Sequence, residues 1–425
     1  MSNKKNSLLK VSNLAVSFDT VDGSVNAVQG IDFELNKGQT LAIIGESGSG
    51  KSVTASVIMG ILTCPPGRIK SGEIFLNNQD ILKLSDTNRR KLMGSKIAII
   101  FQDTLSHLNP VFTVGSQIAE CFEVHKNYSK KKSWDQTLQL LERVKIPNPI
   151  KRAKDYPHQF SGGQRQRVMI AMALALEPDI IIADEPTTAL DVTIQAKILE
   201  LLAELRDERN MGLILITHDL GIAGEVADNV IVLKNGKIVE KGYLKDVFIN
   251  PKHTYTKELM NSIPGKFSQI RKKNVNNESN PILEIKNVSK SYETLACDNI
   301  NFNLFRDEIV GIVGESGSGK TTISNLILRL IEPSSGSILY HGRNIFDFDK
   351  KELFNFRRKV QIVFQDPYAS LNPTMSVFDI ISEPWVIHED FLDKKNHQAK
   401  VSELLISVGL QPSDSEKYPH EFSGG

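Results

Sequence analysis

The sequence predicts an α/β protein with a mostly parallel sheet at its core, present twice in the chain, with the second copy incomplete. Two observations support this fold. The octapeptide GESGSGKS at 45–52 returns as GESGSGKT at 314–321. Each octapeptide follows a short, continuously apolar run, typical of a parallel strand buried on both faces, and precedes a helical pattern. A repeat this long, with its own core pattern, indicates a duplicated domain.

The predicted elements of the two copies follow the same order. Each copy opens with a strand, a turn and a second strand, then has the strand before the octapeptide, a helix, another strand and a mostly helical stretch. In the first copy, the opening strand region lies at 8–18, the strand before the octapeptide at 41–45, the helix at 53–62, the next strand at 97–102 and the helical stretch at 114–154. In the second copy, the same elements lie at 282–292, 309–314, 322–331, 360–365 and 377–408. The first copy alone adds buried strands at 179–185 and 213–218 and a hairpin around Asn235-Gly236.

We expect three segments in the chain: a complete first domain over 1–264, a flexible linker over 265–281 and a second domain over 282–425. The linker is rich in Lys, Asn and Ser, with few apolar residues. The stretch YPHQFSGG at 156–163 returns as YPHEFSGG at 418–425, so the second copy stops inside a motif. We expect 282–425 to be a fragment of a longer natural chain. The stabilising free energy lost with the central strands of a domain would exceed its stability margin of about 5–15 kcal/mol.

Composition excludes several classes of protein. The formal net charge of +1 gives no electrostatic case for a nucleic-acid partner. Three cysteines, Cys64, Cys121 and Cys297, lack metal-ligand spacing and fit reduced thiols. The N-terminus has no signal-peptide pattern. The most apolar stretch, 168–183, is interrupted by charges and falls short of the ~20 residues of a membrane span, so we expect membrane association only through a partner.

The repeated octapeptide has the form G-x-x-x-x-G-K-[ST] of a phosphate-binding loop. Its glycines let backbone N–H groups surround a phosphate, its lysine supplies positive charge, and its final hydroxyl is a ligand for Mg²⁺. The sequence therefore predicts two nucleotide sites. The loop residues expected to bind nucleotide are Gly45, Ser47, Gly48, Gly50, Lys51 and Ser52 in the first copy and Gly314, Ser316, Gly317, Gly319, Lys320 and Thr321 in the second.

Acidic residues follow four apolar residues in the first copy, where a metal ligand and a catalytic base are needed. Asp184 is placed to hold Mg²⁺, and Glu185 to orient or deprotonate the attacking water; the alternative is a surface carboxylate pair. His218 closes the next buried strand and could reach the γ-phosphate, although a lone histidine there is more often structural. Gln102 and Gln365 follow buried strands; their amides could contact metal or water, or be loop amides without a ligand. The expected metal ligands are Ser52, Gln102, Asp184, Thr321 and Gln365.

A second anion-binding nest lacks a lysine. Ser161, Gly162 and Gly163 open a helix, and Ser423, Gly424 and Gly425 repeat this pattern. Such a nest cannot complete the phosphate-binding loop of its own domain if both bind one phosphate from opposite sides. The sequence therefore predicts two domains that face each other with ATP between them.

The chain resembles the nucleotide-binding component of an ATP-binding cassette transporter. The matching motifs are GESGSGKS, the Phe101-Gln102 loop, FSGGQ, IIIADEP, ALD at 189–191 and ITHD. Within this superfamily, PTTALDVTIQAKIL, the LNP at 108–110 and 371–373, and PKHTYT at 251–256 resemble the peptide and nickel importer branch with two fused cassettes. The last segment could instead be only a helix start with a packed tyrosine. The implied fold is a P-loop NTPase cassette with an antiparallel β subdomain and a helical subdomain.

The resemblance implies an ATP- and Mg²⁺-dependent ATPase that powers uptake of peptides or a related small solute. Its implied partners are two transmembrane permease subunits and, indirectly, an extracytoplasmic solute-binding protein, at the cytoplasmic face of the inner membrane. Phe18 and Tyr292 match the aromatic that stacks on adenine, with core packing as the alternative for Phe18. Since 264–281 holds no cysteine, no iron–sulfur cluster is expected. The second site, without its own aspartate, glutamate and histidine, is expected not to hydrolyse ATP.

Two other functions remain open at this point. A soluble twin-cassette ATPase acting on ribosomes or DNA would favour a charged helical linker and a basic surface; the short polar linker and the charge of +1 count against it. Glu185 and His218 count against a non-hydrolysing regulatory nucleotide binder in the first copy, whereas the truncated second copy would suit one.

Overall fold

The computed structural model describes residues 7–20, 23–102, 107–187, 191–261, 280–315, 317–364, 370–388 and 391–422. The chain divides into two units, Met1–Ile270 and Arg271–Gly425. Nearly all of the expected linker at 265–281 lies outside the described residues, so its boundaries stay a prediction.

The described strands of the first unit form two sheets. In chain order they are β1 (Leu9–Thr20), β2 (Gly23–Leu35), β3 (Thr40–Ile44), β4 (Gly67–Leu76), β5 (Gln79–Asp80), β6 (Ile97–Ile100), β7 (Ile180–Asp184), β8 (Gly212–Thr217), β9 (Asn229–Lys234) and β10 (Lys237–Tyr243). An antiparallel sheet has the order β2-β1-β4-β5, and a six-stranded sheet has the order β10-β9-β3-β8-β7-β6. All neighbours in the six-stranded sheet pair in parallel except β10 with β9. This order brings the carboxyl ends of β3, β7 and β8 side by side.

The described helices of the first unit connect these strands. They are α1 (Lys51–Met59), α2 (Asp86–Leu92), α3 (Val114–Lys126), α4 (Lys130–Arg143), α5 (Pro149–Arg152), α6 (Gly162–Leu174), α7 (Val192–Arg209), α8 (Leu220–Val226), α9 (Leu244–Ile249) and α10 (Thr254–Asn261), with a 3₁₀ turn at Pro157–Gln159. Polar side chains cap several of their N-termini; Ser161, for example, accepts a hydrogen bond from the Gln164 amide at the start of α6.

The parallel strands are apolar throughout because both faces of their sheet are covered. Ile180 and Ile182 of β7 pack on one side with the antiparallel sheet and α1. Ile181 and Ala183 pack on the other side with α3, α6 and α7. The two-residue period of a strand thus distributes one continuous apolar run between two cores.

The second unit repeats the beginning of this arrangement. Its described strands are β11 (Leu283–Ser291), β12 (Leu295–Leu304), β13 (Ser335–Tyr340) and β14 (Arg343–Asn344), in the antiparallel order β12-β11-β13-β14. Its described helices are α11 (Lys320–Ile327), α12 (Lys350–Lys359), α13 (Val377–Ile387) and α14 (His397–Ser407). Short 3₁₀ turns occur at Ile345–Asp347, Lys394–Asn396, Pro412–Glu416 and Pro419–Glu421.

Two strands predicted in the second unit do not form. The described residues of 309–314 and 360–365 have no strand hydrogen bonding, and Val313 and Val363 are 96% and 97% exposed. In the first unit the matching strands are held by neighbours, since β3 pairs with β8 and β9 and β6 pairs with β7. The described part of the second unit contains no counterparts of β7, β8 and β9. The prediction was wrong because an apolar run becomes a parallel strand only beside hydrogen-bonding partners.

Among the described helices, none is both long enough and apolar enough to cross a membrane.

Candidate functional site

The first phosphate-binding loop joins β3 to α1, and its glycines are required by close contacts. Gly45 has φ 156°, and a Cβ there would lie 2.3 Å from the carbonyl oxygen of Leu233 in β9. Gly50 has φ 100°, and a Cβ there would lie 2.5 Å from the carbonyl oxygen of Ala27 in β2. Neighbouring backbone therefore fixes both ends of the loop, and only glycine fits. Gly48, with φ 77°, has open space around it, and Ser47 is exposed.

Lys51 is the buried cation of this loop. Its Nζ donates hydrogen bonds to the carbonyl oxygens of Gly45 (2.7 Å) and Glu46 (2.8 Å). Burial lowers the pKa of Lys51, and the nearby Glu185, Asp184 and Glu46 oppose that shift. The ammonium therefore lies beside the loop amides, where it can contact a bound phosphate as a point charge.

Ser52 and Asp184 contact each other across the ends of β7 and α1. The Ser52 hydroxyl donates to Asp184 Oδ1 over 3.2 Å. Burial raises the pKa of Asp184, and Glu185 raises it further, while the Ser52 hydrogen bond and Lys51 lower it. A hydroxyl beside a buried carboxylate is a pair of hard oxygen donors, which suits Mg²⁺. Within the described residues, no group of three or more His, Cys, Asp and Glu side chains could hold a metal alone.

Glu185 connects the ends of three neighbouring strands. Its Oε2 accepts a hydrogen bond from Gln102 Nε2 (2.7 Å), just beyond β6, and its Oε1 lies 3.0 Å from His218 Nδ1, just beyond β8. Its amide donates to the carbonyl oxygen of Ile216 (2.9 Å). The structure thus brings together all three residues expected to be catalytic. A carboxylate oriented by an amide and an imidazole can position a water molecule and accept its proton.

Side-chain hydrogen bonds hold the start of α6, where the predicted nest lies. Gln164 Oε1 accepts from the Ser161 amide (3.2 Å) and from Arg152 Nη2 (2.7 Å). A Cβ on Gly163 would lie 2.5 Å from Cγ2 of Ile194, so Gly163 permits close packing of α6 on α7. Gly162 is half-buried and Ser161 is exposed. The structure places this nest at a helix N-terminus, and its role in anion binding stays a prediction.

The two aromatics expected to stack on adenine differ in burial. Phe18 is half-buried and packs against the core beneath the antiparallel sheet. Tyr292 is exposed, and Lys290 Nζ lies 5.2 Å from its ring centroid. Adenine stacking stays a prediction for both, and core packing contributes to the position of Phe18.

The described residues of the second phosphate-binding loop repeat several contacts of the first. Lys320 Nζ donates to the carbonyl oxygens of Gly314 (2.7 Å) and Glu315 (2.6 Å). A Cβ on Gly319 would lie 2.4 Å from the carbonyl oxygen of Ala296. Gly317 has φ 80°, and Thr321 is exposed. The predicted site residues Ser316, Gln365, Ser423, Gly424 and Gly425 lie outside the described residues.

Two contacts to the first loop were not predicted from the sequence. The Glu46 amide donates to the Tyr255 hydroxyl over 3.1 Å, and the Gly236 amide donates to the carbonyl oxygen of Ser49 over 3.1 Å. In the sequence, Gly236 lies nearly two hundred residues after Ser49, and Tyr255 lies 209 positions after Glu46. The PKHTYT segment marked the region of Tyr255, but nothing in its pattern indicated the loop as its neighbour.

Comparisons with known proteins agree on one family. A family model described as "ABC transporter" matches residues 28–188 and 297–425. The glutathione import ATP-binding protein GsiA of Escherichia coli is 40% identical over 458 residues, which cover 98% of this chain and 73% of that protein. Its namesake in Salmonella typhimurium is 41% identical over 459 residues, with the same coverage.

Solved structures of cassettes are also similar. The dimeric structure of MJ0796, described as a bacterial ABC transporter cassette, is 29% identical with a TM-score of 0.50. The match covers 56% of this chain and 98% of the MJ0796 chain. A post-hydrolysis dimer of MJ0796 bound to ADP and Pi is 29% identical, with a TM-score of 0.51 and the same coverage.

Proposed function

The chain belongs to the ABC transporter family as an ATPase subunit, and we propose that it powers the import of small peptides. One observation carries the catalytic part of this proposal. Glu185 lies between Gln102 and His218 at the strand ends next to Lys51, where a γ-phosphate and a water molecule would meet. The name of the relatives, glutathione import ATP-binding protein, supports a tripeptide or similar solute.

The proposed binding step uses the first loop. Loop amides and Lys51 would bind the β- and γ-phosphates of ATP, and Ser52 and Asp184 would hold Mg²⁺. When bound, the ion neutralises phosphate charge. Gln102 would contact the ion or the water, and Phe18 would stack on the adenine. The nest at Ser161–Gly163 would bind the γ-phosphate held by the loop of a facing cassette.

The proposed chemical step is hydrolysis of the terminal phosphoanhydride. Water attacks the γ-phosphorus, the bond from that phosphorus to the bridging oxygen breaks, and ADP leaves with the electron pair. Glu185 orients the water and accepts its proton. His218, within hydrogen-bond distance of Glu185, holds the carboxylate in place and contacts the γ-phosphate.

The proposed setting is the cytoplasmic face of the cell membrane. Import ATPases need membrane permeases, and we propose two permease subunits, with an extracytoplasmic solute-binding protein that delivers solute to them. Exposed apolar side chains on the helical part of the first unit, including Val111, Phe112 and Val124, support a protein partner there.

The proposal is tested by uptake of labelled glutathione and a labelled dipeptide in cells that depend on this chain. Wild-type chain should restore uptake, and Lys51→Ala and Glu185→Gln should not. Lys83→Ala, a change at an exposed lysine, is the matched control and should restore uptake. Full uptake with Lys51→Ala would refute the proposed ATP-driven import, and uptake of neither peptide with the wild-type chain would refute the solute class.

A further inference from the structure

The segment 251–256 follows α9 and leads into α10, where Tyr255 contacts the first phosphate-binding loop. One carboxylate binds the start of this segment. Glu240 Oε1 accepts a hydrogen bond from the Lys252 amide (2.8 Å), and Glu240 Oε2 accepts one from the His253 amide (3.0 Å). The Tyr255 amide donates to His253 Nδ1 (3.2 Å), which satisfies a free donor in the first turn of α10. Backbone and side chain together therefore fix the start of α10.

Tyr255 is the side chain that this segment presents to the loop. It is 2% exposed, and Lys234 Nζ lies 4.3 Å from its ring centroid. Its hydroxyl accepts a hydrogen bond from the Glu46 amide over 3.1 Å. Burial raises the pKa of Tyr255, so the hydroxyl stays protonated at neutral pH.

The Glu46 amide belongs to the same peptide unit as the Gly45 carbonyl. That carbonyl oxygen accepts a hydrogen bond from Lys51 Nζ over 2.7 Å. In a trans peptide unit the N–H and C=O groups point in opposite directions, so Tyr255 and Lys51 hold one planar group from its two sides. Rotation of this peptide plane would break both hydrogen bonds. The Tyr255 hydroxyl therefore acts on the lysine ammonium through a rigid group.

We propose that Tyr255 is a positioning residue for the first nucleotide site, which sets the affinity for ATP by orienting the peptide unit that holds Lys51. This inference rests on the proposed function, because it assigns Lys51 to the phosphates of ATP. It gives the PKHTYT segment a role that packing alone does not require, since a phenylalanine would fill the same space.

The test is Tyr255→Phe in the full chain, which removes one oxygen atom and leaves the ring. The Glu46 amide then loses its partner. The loss of one neutral hydrogen bond corresponds to a change of about two- to tenfold in an equilibrium constant. We expect the KM for ATP to rise by about that factor, with kcat within about twofold. Hydrogen exchange at the Glu46 amide, measured without nucleotide, should speed up by a similar factor.

The matched control is Tyr128→Phe. Lys132 Nζ lies 3.6 Å from the ring centroid of Tyr128, so this tyrosine also has a lysine over its face. It lies between α3 and α4, where its ring stacks on Phe122. Tyr128→Phe should change neither the KM for ATP nor exchange at the Glu46 amide.

The outcomes separate positioning from mere packing. An unchanged KM and unchanged exchange in Tyr255→Phe would overturn the inference, even if the variant melts at a lower temperature. If the wild-type chain hydrolyses no ATP, the proposed function fails, and the positioning role fails with it. Normal wild-type hydrolysis with an unaffected Tyr255→Phe variant would refute this inference alone.

Discussion

Glu185 Oε1 and His218 Nδ1 lie 3.0 Å apart, across the ends of two neighbouring parallel strands. The carboxylate is mostly enclosed, with 14% of its side chain exposed, whereas 60% of the imidazole is exposed. The histidine can therefore reach outward to a phosphate while it holds an inner carboxylate. Because each side chain follows the last residues of its strand, the sheet itself sets this distance.

Replacing Glu185 with glutamine should separate ATP binding from hydrolysis. The amide keeps the size of the side chain but cannot accept the proton of water, so steady-state phosphate release should fall by about 100-fold or more. Binding of a fluorescent ATP analogue should persist. Glu225→Gln, at an exposed position of α8, is the control. Hydrolysis at the wild-type rate in Glu185→Gln would remove Glu185 from the mechanism.

Asp184→Asn should abolish the effect of Mg²⁺ on nucleotide affinity. The change removes the buried negative charge beside the Ser52 hydroxyl, and a neutral amide oxygen is a much poorer ligand for a hard divalent cation. Titration of a fluorescent ATP analogue with Mg²⁺ and with a chelator measures this effect. Asp19→Asn, which removes a surface ion pair with Arg68, should keep the wild-type difference between the two conditions. A normal Mg²⁺ response in Asp184→Asn would show that the ion is held elsewhere.

Matched threonine substitutions before the two octapeptides should have unequal effects on stability. Ile44 is 1% exposed and Val313 is 96% exposed, although each directly precedes its loop. Ile44→Thr should lower the free energy of unfolding of the first unit by about 2–4 kcal/mol, because it leaves a cavity and a buried hydroxyl. Val313→Thr should change stability by less than about 0.5 kcal/mol.

Urea unfolding measures this difference through the tryptophan of each unit. Trp134 lies in the first unit and Trp385 in the second, and the chain contains two tryptophans. Trp385→Phe leaves Trp134 as the probe for Ile44→Thr, and Trp134→Phe leaves Trp385 as the probe for Val313→Thr. Equal losses at the two positions would contradict the exposure of 309–313.

Glu240→Gln should destabilise the first unit in a pH-dependent way. Burial would raise the pKa of Glu240, but hydrogen bonds from the Lys252 and His253 amides outweigh it, so the pKa lies below its ordinary value of 4.5. A carboxylate whose pKa is lowered in the folded state stabilises that state at pH values above its unfolded pKa. This stabilisation is lost as the pH falls through the folded pKa.

The free energy of unfolding of the wild type should therefore exceed that of Glu240→Gln by about 1 kcal/mol at neutral pH. This value is modest because the carboxylate is partly exposed. The difference should shrink as the pH falls below 4.5. Urea unfolding of both chains across this range is the measurement. A constant difference at every pH would show that packing, and not the ionised carboxylate, is responsible.

Local chemistry explains which parts could be predicted from the sequence. The phosphate-binding loop and the acidic end of β7 were predicted because each function resides in a few consecutive residues. The hydrogen bond between Glu46 and Tyr255 could not be, since it joins residues 209 positions apart and depends on the strand order. The strands expected at 309–314 and 360–365 show the opposite error, because their apolar patterns are local while their hydrogen-bonding partners are not.

The left-handed backbone at Glu185, with φ 45°, has a consequence for how this chain could change its behaviour. The turn sends two consecutive carboxylates to different partners, Asp184 to Ser52 and Glu185 to Gln102 and His218. In the proposed mechanism, ATP binding and ATP hydrolysis therefore depend on adjacent residues and can vary separately. A single substitution at Glu185 would then convert an ATPase that turns over into a protein that binds ATP and keeps it.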